Sequence, residues 1–550
     1  MNQHSRCRFA GRGWRAGLAS IRAGIHGGDA RGATFGKLAL ALGLAGIGMV
    51  PPASAAAPDI WRVMPAAQPA TALPGDVQPW SDACGVDAVV PAPLTLGQAV
   101  ALALCGNPQA RQAWFSVIAA SAQIGQAKAA YLPTLSGNVS RSSDTVTTHT
   151  AAGTSSNHFA VNGRNLGASW LLFDFGARAA NVSYAEQNVA AALASRDALL
   201  QQLIAAVGQA YIEAGANAAS VRAATLAESA ASDSLGAARG RMNLGVATIV
   251  DVLQAQTALS QATLLRVRAQ GNARTAAGTL AYAMGRDPGS RIELAADPSM
   301  DAAGAAPEDA TNDTPAGPMS APNTGAHAVP TAPIARPDAD LRRATDAMRD
   351  IDALMAEAVA THPSLRAGRA QLAAAQARAD AVAADGYPSV SITGGQYRNG
   401  RPGTAFTSSQ TTERLVAITV SVPLFEGFSR GYKQREQQAL VAAKSVDLDS
   451  ARLQVELEVW RNYQALQSEA AGVDAARDLV ASAAEALKAT RLRYRVGTAD
   501  IVSLLTAQKD DGNARQEGIQ SLANWRIARL KLISSLGQSG YWALQMPESP

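Results

Sequence analysis

Apolar residues recur every three or four positions along most of this chain, and the pattern predicts long helices in two successive groups. The first group covers residues 94–131, 178–244 and 249–284. The second begins with residues 351–387 and ends with residues 501–536. No proline interrupts the chain between Pro133 and Pro288, or between Pro423 and Pro547, so both groups can contain an uninterrupted helix about 100 Å long.

Between the first and second helix of each group the period changes to two, which predicts a β-hairpin. The segments "TLSGNVSRSSDTVTTHT" and "NLGASWLLF" form the first hairpin, and "SVSITGGQYRNG" and "RLVAITVSVPLF" form the second. Residues rich in Ser, Thr, Gly and Asn predict the loops between the strands. The fold class is therefore mainly α, with four strands per chain.

The helix lengths within a group are related. The helix before each hairpin has about 38 residues and the last helix about 36, and together they nearly equal the long helix. Two shorter helices stacked end to end can therefore run beside the long one as an antiparallel coiled coil. Gly245 and Gly497 allow the chain to reverse at the far turns.

The two groups are copies of one unit. "RMNLGVATIVDVLQAQ" at residues 241–256 and "RYRVGTADIVSLLTAQ" at residues 493–508 share eight of sixteen positions at an offset of 252. "LFDFGAR" and "LFEGFSR" follow the same offset, whereas the prolines of the "NP" and "HP" pairs and of "YLP" and "YP" are offset by 255. The predicted boundaries are 94–286 and 346–537 for the repeats and 287–345 for a Pro-rich disordered linker. Residues 56–93 form a Pro-rich N-terminal segment, and residues 538–550 form a tail.

Residues 1–55 read as a signal peptide, with a basic region, the apolar run "LALALGLAGIGMV" and a cleavage site of the A-x-A type. A membrane anchor is the alternative, but 13 apolar residues are short for a span. No later stretch reaches 18 apolar residues. Two classes of exported protein stay open at this point: a soluble periplasmic or secreted protein, and an outer-membrane β-barrel.

Charge narrows the classes of partner. The leader carries seven basic residues and one acid, so the formal charge of +4 for the whole chain leaves −2 for the remainder, which gives no basic footprint for nucleic acid.

We find no HExxH motif, nucleophile elbow or phosphate-binding loop, and we expect neither an enzyme nor a cofactor or metal site. Cys84 and Cys105 remain after cleavage, and we expect them to form a disulfide; two free buried thiols are the alternative.

Four strands cannot close a barrel wide enough to conduct, and an open sheet edge in lipid would leave backbone groups without partners. A chain of this kind must therefore oligomerise if it enters a membrane. Three copies supply twelve strands, an even number suited to one outer-membrane barrel, together with a tube of helices.

The order of these motifs, present twice over residues 94–537, resembles the TolC family of outer-membrane export ducts. The resemblance implies a homotrimer in the outer membrane of a Gram-negative bacterium, in contact with its lipids and extending into the periplasm. It implies docking to a periplasmic adaptor and to an ABC or proton-driven transporter of the inner membrane. The segment "LTLGQAVALALCGNPQARQAW" is similar to members that serve type I secretion. A multidrug efflux channel, a periplasmic adaptor and a flagellin-type filament subunit are the alternatives.

The resemblance also implies a gate at the repeated phrase, in which Tyr494 bonds Asp251. The family's arginine position holds Ala499, and its two entrance aspartates are replaced by Ser503 and Thr506, with Asp500 nearby. The alternative is that Asp251 caps a helix while Tyr494 packs. At the transitions between helices and strands we expect the following residues to matter, with the aromatic ones forming either an interface belt or ordinary packing: Pro133, Phe173, Gly176, Pro388, Phe425 and Gly427.

Overall fold

The computed structural model describes residues 59–63, 91–303, 351–401 and 409–537. The chain divides into two units, residues 1–60 and residues 61–550, and the described helices and strands belong to the second. The expected signal peptide, most of the N-terminal segment, residues 304–345 of the linker and the C-terminal tail lie outside the described residues.

Each repeat contains two short helices, a hairpin, one very long helix and one helix of intermediate length. The first repeat comprises α1 (Leu96–Gly106), α2 (Pro108–Ala129), β1 (Thr134–Thr150), β2 (Gly153–Phe173), α3 (Ala177–Asn243) and α4 (Ile249–Ala283). A six-residue helix, α5 (Pro298–Ala303), follows. The second repeat comprises α6 (Ile351–Thr361), α7 (Pro363–Ala384), β3 (Ser389–Arg401), β4 (Ser409–Ser421), α8 (Ser429–Arg495) and α9 (Ile501–Ser535).

The long helices confirm the prediction from proline-free periodicity, since α3 and α8 each have 67 residues. The single helix expected at residues 94–131, and the one expected at 351–387, are wrong: each is two helices that meet at a proline. Pro108 and Pro363 are the first residues of α2 and α7 because proline lacks the N–H that a helix interior needs. Asn107 Oδ1 accepts from Gln109 N at 2.8 Å, and His362 Nδ1 accepts from Ser364 N at 3.3 Å.

The end-to-end stack of shorter helices is confirmed at this proline break. Asn107 Nδ2 donates to the carbonyl of Ala283, the last residue of α4, at 3.0 Å. Gly285 has φ +74° and packs so tightly on Asn107 that a Cβ would lie 2.7 Å from the Asn107 Cα. The second repeat matches, with Gly537 against His362. Thus α4 continues the line of α2, and α9 continues that of α7.

The helices form a row. α3 packs against α2 and α4 on one side and against α7 and α9 on the other, and α8 packs on the far side of α7 and α9. The core lies inside this row and includes fully buried aliphatic residues from the central elements, among them Ile204, Val207, Val459, Ile519 and Leu532. The row therefore has two ends: the stack of α2 and α4, and the helix α8.

The hairpins join into one antiparallel sheet of order β1-β2-β3-β4, so β1 and β4 are its edges among the described residues. The strands extend farther than the apolar pattern predicts. β2 begins at Gly153 rather than at residue 165, because the segment rich in Ser, Thr and Asn pairs residue by residue with β1 up to Thr150. β4 covers Ser409–Ser421, so Pro423 and Phe425 lie beyond its end, since proline lacks a ladder donor.

The linker prediction is wrong for its first part, residues 287–303, which lies on the helical core. Leu94 N donates to Glu293 O at 2.7 Å, and Ala295 N donates to Leu94 O at 2.9 Å. Met300 in α5 is buried, and Asp297 pairs with Arg526 of α9. An apolar anchor and an ion pair thus order a segment whose Pro and Ala content suggested disorder.

Candidate functional site

The two turns of the repeated phrase link the long helices to the helices that return along them. Gly245 has φ +75° and Gly497 has φ +80°, the left-handed conformation that glycine adopts without strain. In the first turn Val246 N donates to Arg241 O at 3.0 Å, and in the second Thr498 N donates to Arg493 O at 2.9 Å. Both helices therefore end in the same type of glycine cap and reverse in the same way.

The helices that leave these turns are capped differently. Thr248 Oγ1 accepts from Asp251 N, and Asp251 Oδ2 accepts from Thr248 N at 2.7 Å and from the Thr248 hydroxyl at 2.9 Å, which completes a capping box. In the second turn Asp500 Oδ1 accepts from Ser503 N at 2.9 Å. Hydrogen bonds from the Ser503 side chain and backbone hold the pKa of Asp500 below its usual value. In the first turn the acidic residue, Asp251, lies three positions after the N-cap, Thr248. In the second turn the acidic residue, Asp500, is itself the N-cap.

Contact between the two turns runs through Arg241 rather than Asp251. The Arg241 guanidinium lies 4.7 Å from the centre of the Tyr494 ring, and its Nη1 donates to Tyr494 O at 2.9 Å. Tyr494 is buried in a cluster with Leu487, Ile501 and Leu504. Among the described residues, the expected hydrogen bond between Tyr494 and Asp251 does not form: the Asp251 carboxylate bonds Thr248 of its own turn, and Tyr494 packs within its own cluster.

The arrangement therefore matches the alternative, in which Asp251 caps a helix and Tyr494 packs, and it adds an arginine that the family resemblance missed. The signal was present in the sequence, since arginine is the first residue of both copies of the phrase. Ser503 and Thr506 are exposed on α9, and Ala499 packs against the Tyr494 cluster. Whether these residues line an entrance stays a prediction.

At the other end of the long helices, the sheet has one apolar and one polar face. The strand register places Leu135, Trp170 and Ile418 on the apolar face, together with Val139 and Val416, and these side chains are 43–78% exposed. The opposite face carries the intervening small and polar residues: Ser136, Asn138, Ser169, Thr393, Glu413 and Thr419. One face of the sheet therefore suits hydrocarbon and the other suits water.

The residues expected at the transitions lie where helices meet strands. Pro133 and Pro388 each precede a strand, Phe173 ends β2, and Gly176 is the N-cap of α3 with φ +99°. Phe425 and Gly427 lie between β4 and α8.

Arg178 stabilises the first of these corners, the transition from β2 to α3. Its side chain donates to Asp174 at 2.9 Å and to Leu171 O at 2.7 Å, and its guanidinium lies 4.5 Å from the ring centre of Tyr131. Beside it Phe173 is 52% exposed, and at the second corner Phe425 is 74% exposed, which favours the interface belt over ordinary packing for these two rings.

Cys105 in α1 is disulfide-bonded. Its expected partner, Cys84, lies outside the described residues, so that pairing stays a prediction. In the part of the chain that the structure describes, His, Cys, Asp and Glu nowhere form a group of three or more that could hold a metal ion. None of the described helices has a segment both long and apolar enough to cross a membrane.

Residues 99–286 and 354–538 match the family model described as outer membrane efflux protein. The chain is 29% identical over 448 residues to Protein CyaE of Bordetella pertussis, covering 81% of this chain and 85% of that protein. The Escherichia coli outer membrane protein TolC is 28% identical over 204 residues, 35% of this chain and 41% of TolC. Proteases secretion protein PrtF of Dickeya chrysanthemi is 29% identical over 124 residues, 22% of this chain and 27% of PrtF.

The fold has solved counterparts. The CmeC outer membrane channel of Campylobacter jejuni aligns with a TM-score of 0.62 at 15% identity, over 81% of this chain and 87% of that chain. The family model covers both repeats, and the fold and the internal duplication agree with it. The chain therefore belongs to the outer membrane efflux protein family, the family of TolC, and is an outer-membrane channel component that extends into the periplasm.

Proposed function

We propose that this chain forms a homotrimeric outer-membrane channel for type I protein secretion. It would receive an unfolded polypeptide from an inner-membrane ABC transporter through a periplasmic adaptor. The observation that carries the trimer is that, among the described residues, both the sheet and the helix row end in edges without a neighbouring strand or helix. These edges support the proposed joining of copies of the chain, and the relatives support the proposed cargo.

The sheet edges support closure by identical copies. β1 and β4 are the outer strands, and lipid offers no partner for their free backbone groups. Pairing β4 of one copy with β1 of the next removes every edge when the ring closes. Three copies give twelve strands, which is within the range of outer-membrane barrels.

The helix row supports the same pairing. α8, at one end, exposes Val446 at 63% and Leu453 at 66%, and α4, at the other end, exposes Leu253 at 58% and Leu265 at 56%. These aliphatic side chains lie on helices with a free side, where a neighbouring copy would cover them. The two ends differ, so the proposed contact is head-to-tail, which gives a closed ring when the rotation from one copy to the next is a third of a turn.

Protein secretion is favoured over drug efflux by the relatives. The match to CyaE spans most of both chains, and PrtF is named for the secretion of proteases. A drug-efflux channel is the second candidate, because the family model is named for efflux.

Reconstitution with each kind of partner tests the assignment. We would express the chain in a Gram-negative host that lacks its own duct, with either an ABC exporter, its adaptor and a protein substrate, or a proton-driven pump and its adaptor. We expect an SDS-resistant, heat-modifiable trimer in the outer-membrane fraction and export of the protein substrate. A soluble periplasmic monomer would exclude the channel. Restored drug resistance without protein export would assign the chain to efflux.

A further inference from the structure

Four arginines form a row across all four strands on the apolar face of the sheet: Arg141, Arg164, Arg398 and Arg414. Arg164 of β2 lies directly opposite Arg398 of β3. Arg141 is two residues beyond Val139, the β1 partner of Arg164, and Arg414 is two residues from Thr412, the β4 partner of Arg398. Each arginine is therefore a direct or diagonal neighbour of the next, and all four side chains are exposed.

The row carries positive charge without local compensation. Among the described side chains, the strand register places no Asp or Glu on this face, while Asp144 and Glu413 both lie on the opposite face. Like charges directly opposite each other destabilise a sheet. Gln410 accepts from Arg398 Nη2 at 2.8 Å but brings no charge. The arrangement therefore costs stability by itself, and a bound anion would relieve that cost.

The row lies at the border of the apolar band. On β2 the band includes Phe173, Trp170 and Leu166, about 20 Å of strand, and Arg164 follows. On β4 it ends with Val416, and Arg414 follows directly on the same face. Beyond the row the face becomes polar, with Ser143 and Thr145 of β1 both hydrogen-bonded to His158. A ligand that is complementary to both the apolar band and the arginine row has acyl chains and an anionic head group.

We propose that this arginine row binds the phosphate groups of a phosphorylated lipid in the outer leaflet of the outer membrane. Guanidinium groups bind phosphate bidentately and lose little when partly dehydrated, which suits the boundary of the hydrocarbon layer. The proposal rests on the proposed function, with the sheet in the outer membrane, and it takes the hairpin tips to point outward and the apolar face to contact lipid.

Lipid binding to the purified trimer tests the proposal. The probes are lipid A carrying its phosphates, the same lipid after enzymatic dephosphorylation, and inorganic phosphate, and bound lipid is measured by native mass spectrometry in detergent. We expect tight binding of the phosphorylated lipid only. Each arginine near the membrane surface contributes about fivefold to the affinity, so the double variant Arg164→Gln/Arg398→Gln is expected to bind about 30-fold more weakly.

Two variants serve as controls. Arg164→Lys/Arg398→Lys keeps the charge and is expected to retain most of the affinity. Arg435→Gln/Arg452→Gln removes two arginines from α8, outside the sheet, and is expected to bind like the wild type. Equal binding of dephosphorylated lipid, or unchanged affinity in the glutamine variant, would overturn the lipid site. Failure of the proposed channel would be seen separately, as the absence of an SDS-resistant trimer before any lipid is added.

Discussion

The contact of Arg241 with Tyr494 gives the sharpest prediction about the turns. Arg241→Ala removes a cation–π contact, worth about 1 kcal/mol when partly shielded, and a charged hydrogen bond to the Tyr494 carbonyl, worth about another 1 kcal/mol at this half-buried position. Both contacts join the first turn to the second within one chain. If they hold the entrance closed, their loss shifts the opening equilibrium roughly 30-fold per chain.

Single-channel recording in planar bilayers measures this shift. We expect Arg241→Ala and Tyr494→Ala to raise conductance or the fraction of time spent open. Arg239→Ala is the matched control, because Arg239 lies one half-turn away on the same helix, is exposed and bonds Gln256 of its own repeat. Circular dichroism melting of each variant checks that the helices are intact.

Tyr494→Phe separates the two models of the gate. In the structure the ring and the carbonyl make the contacts, so removal of the hydroxyl is expected to leave conductance unchanged. The latch inferred from family resemblance uses that hydroxyl to bond Asp251, so it requires Tyr494→Phe to raise conductance. An increase in Tyr494→Phe together with wild-type behaviour of Arg241→Ala would refute the arginine contact.

Three further predictions concern the helix stacks and the ordered linker. Burial, and to a lesser extent the charge of Arg366, lowers the pKa of His362. The stabilising contribution of His362 is therefore present above pH 6.5 and is lost as the pH falls through its pKa in the folded protein. We expect His362→Asn to flatten this dependence of Tm on pH, measured between pH 7.5 and 5. Burial raises the pKa of Asp297, but the hydrogen bonds and charge of Arg526 and the hydrogen bond from Ser299 outweigh burial, so the pKa lies below its usual value. The Asp297–Arg526 ion pair therefore stabilises the fold above pH 3.8 and weakens below it. Arg526→Met is expected to lower the free energy of unfolding by about 2 kcal/mol at neutral pH, measured by thermal melting. Gly285→Ala is expected to lower Tm more than Gly245→Ala, because both glycines have a φ near +75° but only the first would place a Cβ against Asn107; equal losses would contradict the stacking contact.

The long helices were predictable because their evidence is local. An uninterrupted apolar period and the absence of proline suffice to define α3 and α8, whatever packs around them. The proline breaks were visible but ambiguous, since proline both ends a helix and begins the next one. The presence of two helices rather than one follows from the long-range packing of Gly285 and Ala283 on Asn107, which no local sequence pattern reveals.

The polar extension of the strands and the arginine row were not predictable from periodicity. Beyond residue 165 toward the hairpin tip, β2 carries Ser, Thr and Asn on both faces, so the alternation that indicates a strand disappears while backbone pairing continues. Arg141, Arg164, Arg398 and Arg414 share no spacing in sequence. They become neighbours only through the register of three strand pairs, one of which joins the two repeats.

The duplicated fold does not duplicate the contact between its turns, and this asymmetry bears on how the channel opens. The reverse of the Arg241–Tyr494 pair would place Arg493 on Met242, which has no ring to receive it. In the proposed ring, the seam between the two turns of one chain is therefore held by this contact. The seam between one chain and the next has no equivalent contact. We expect opening to begin between chains. Cysteine pairs that cross this seam should then hold the conductance at its closed value, whereas pairs within one chain should stop it at an intermediate value, because the internal seam parts only in the second step. Full locking at the closed value by pairs within one chain would show that the two seams open together.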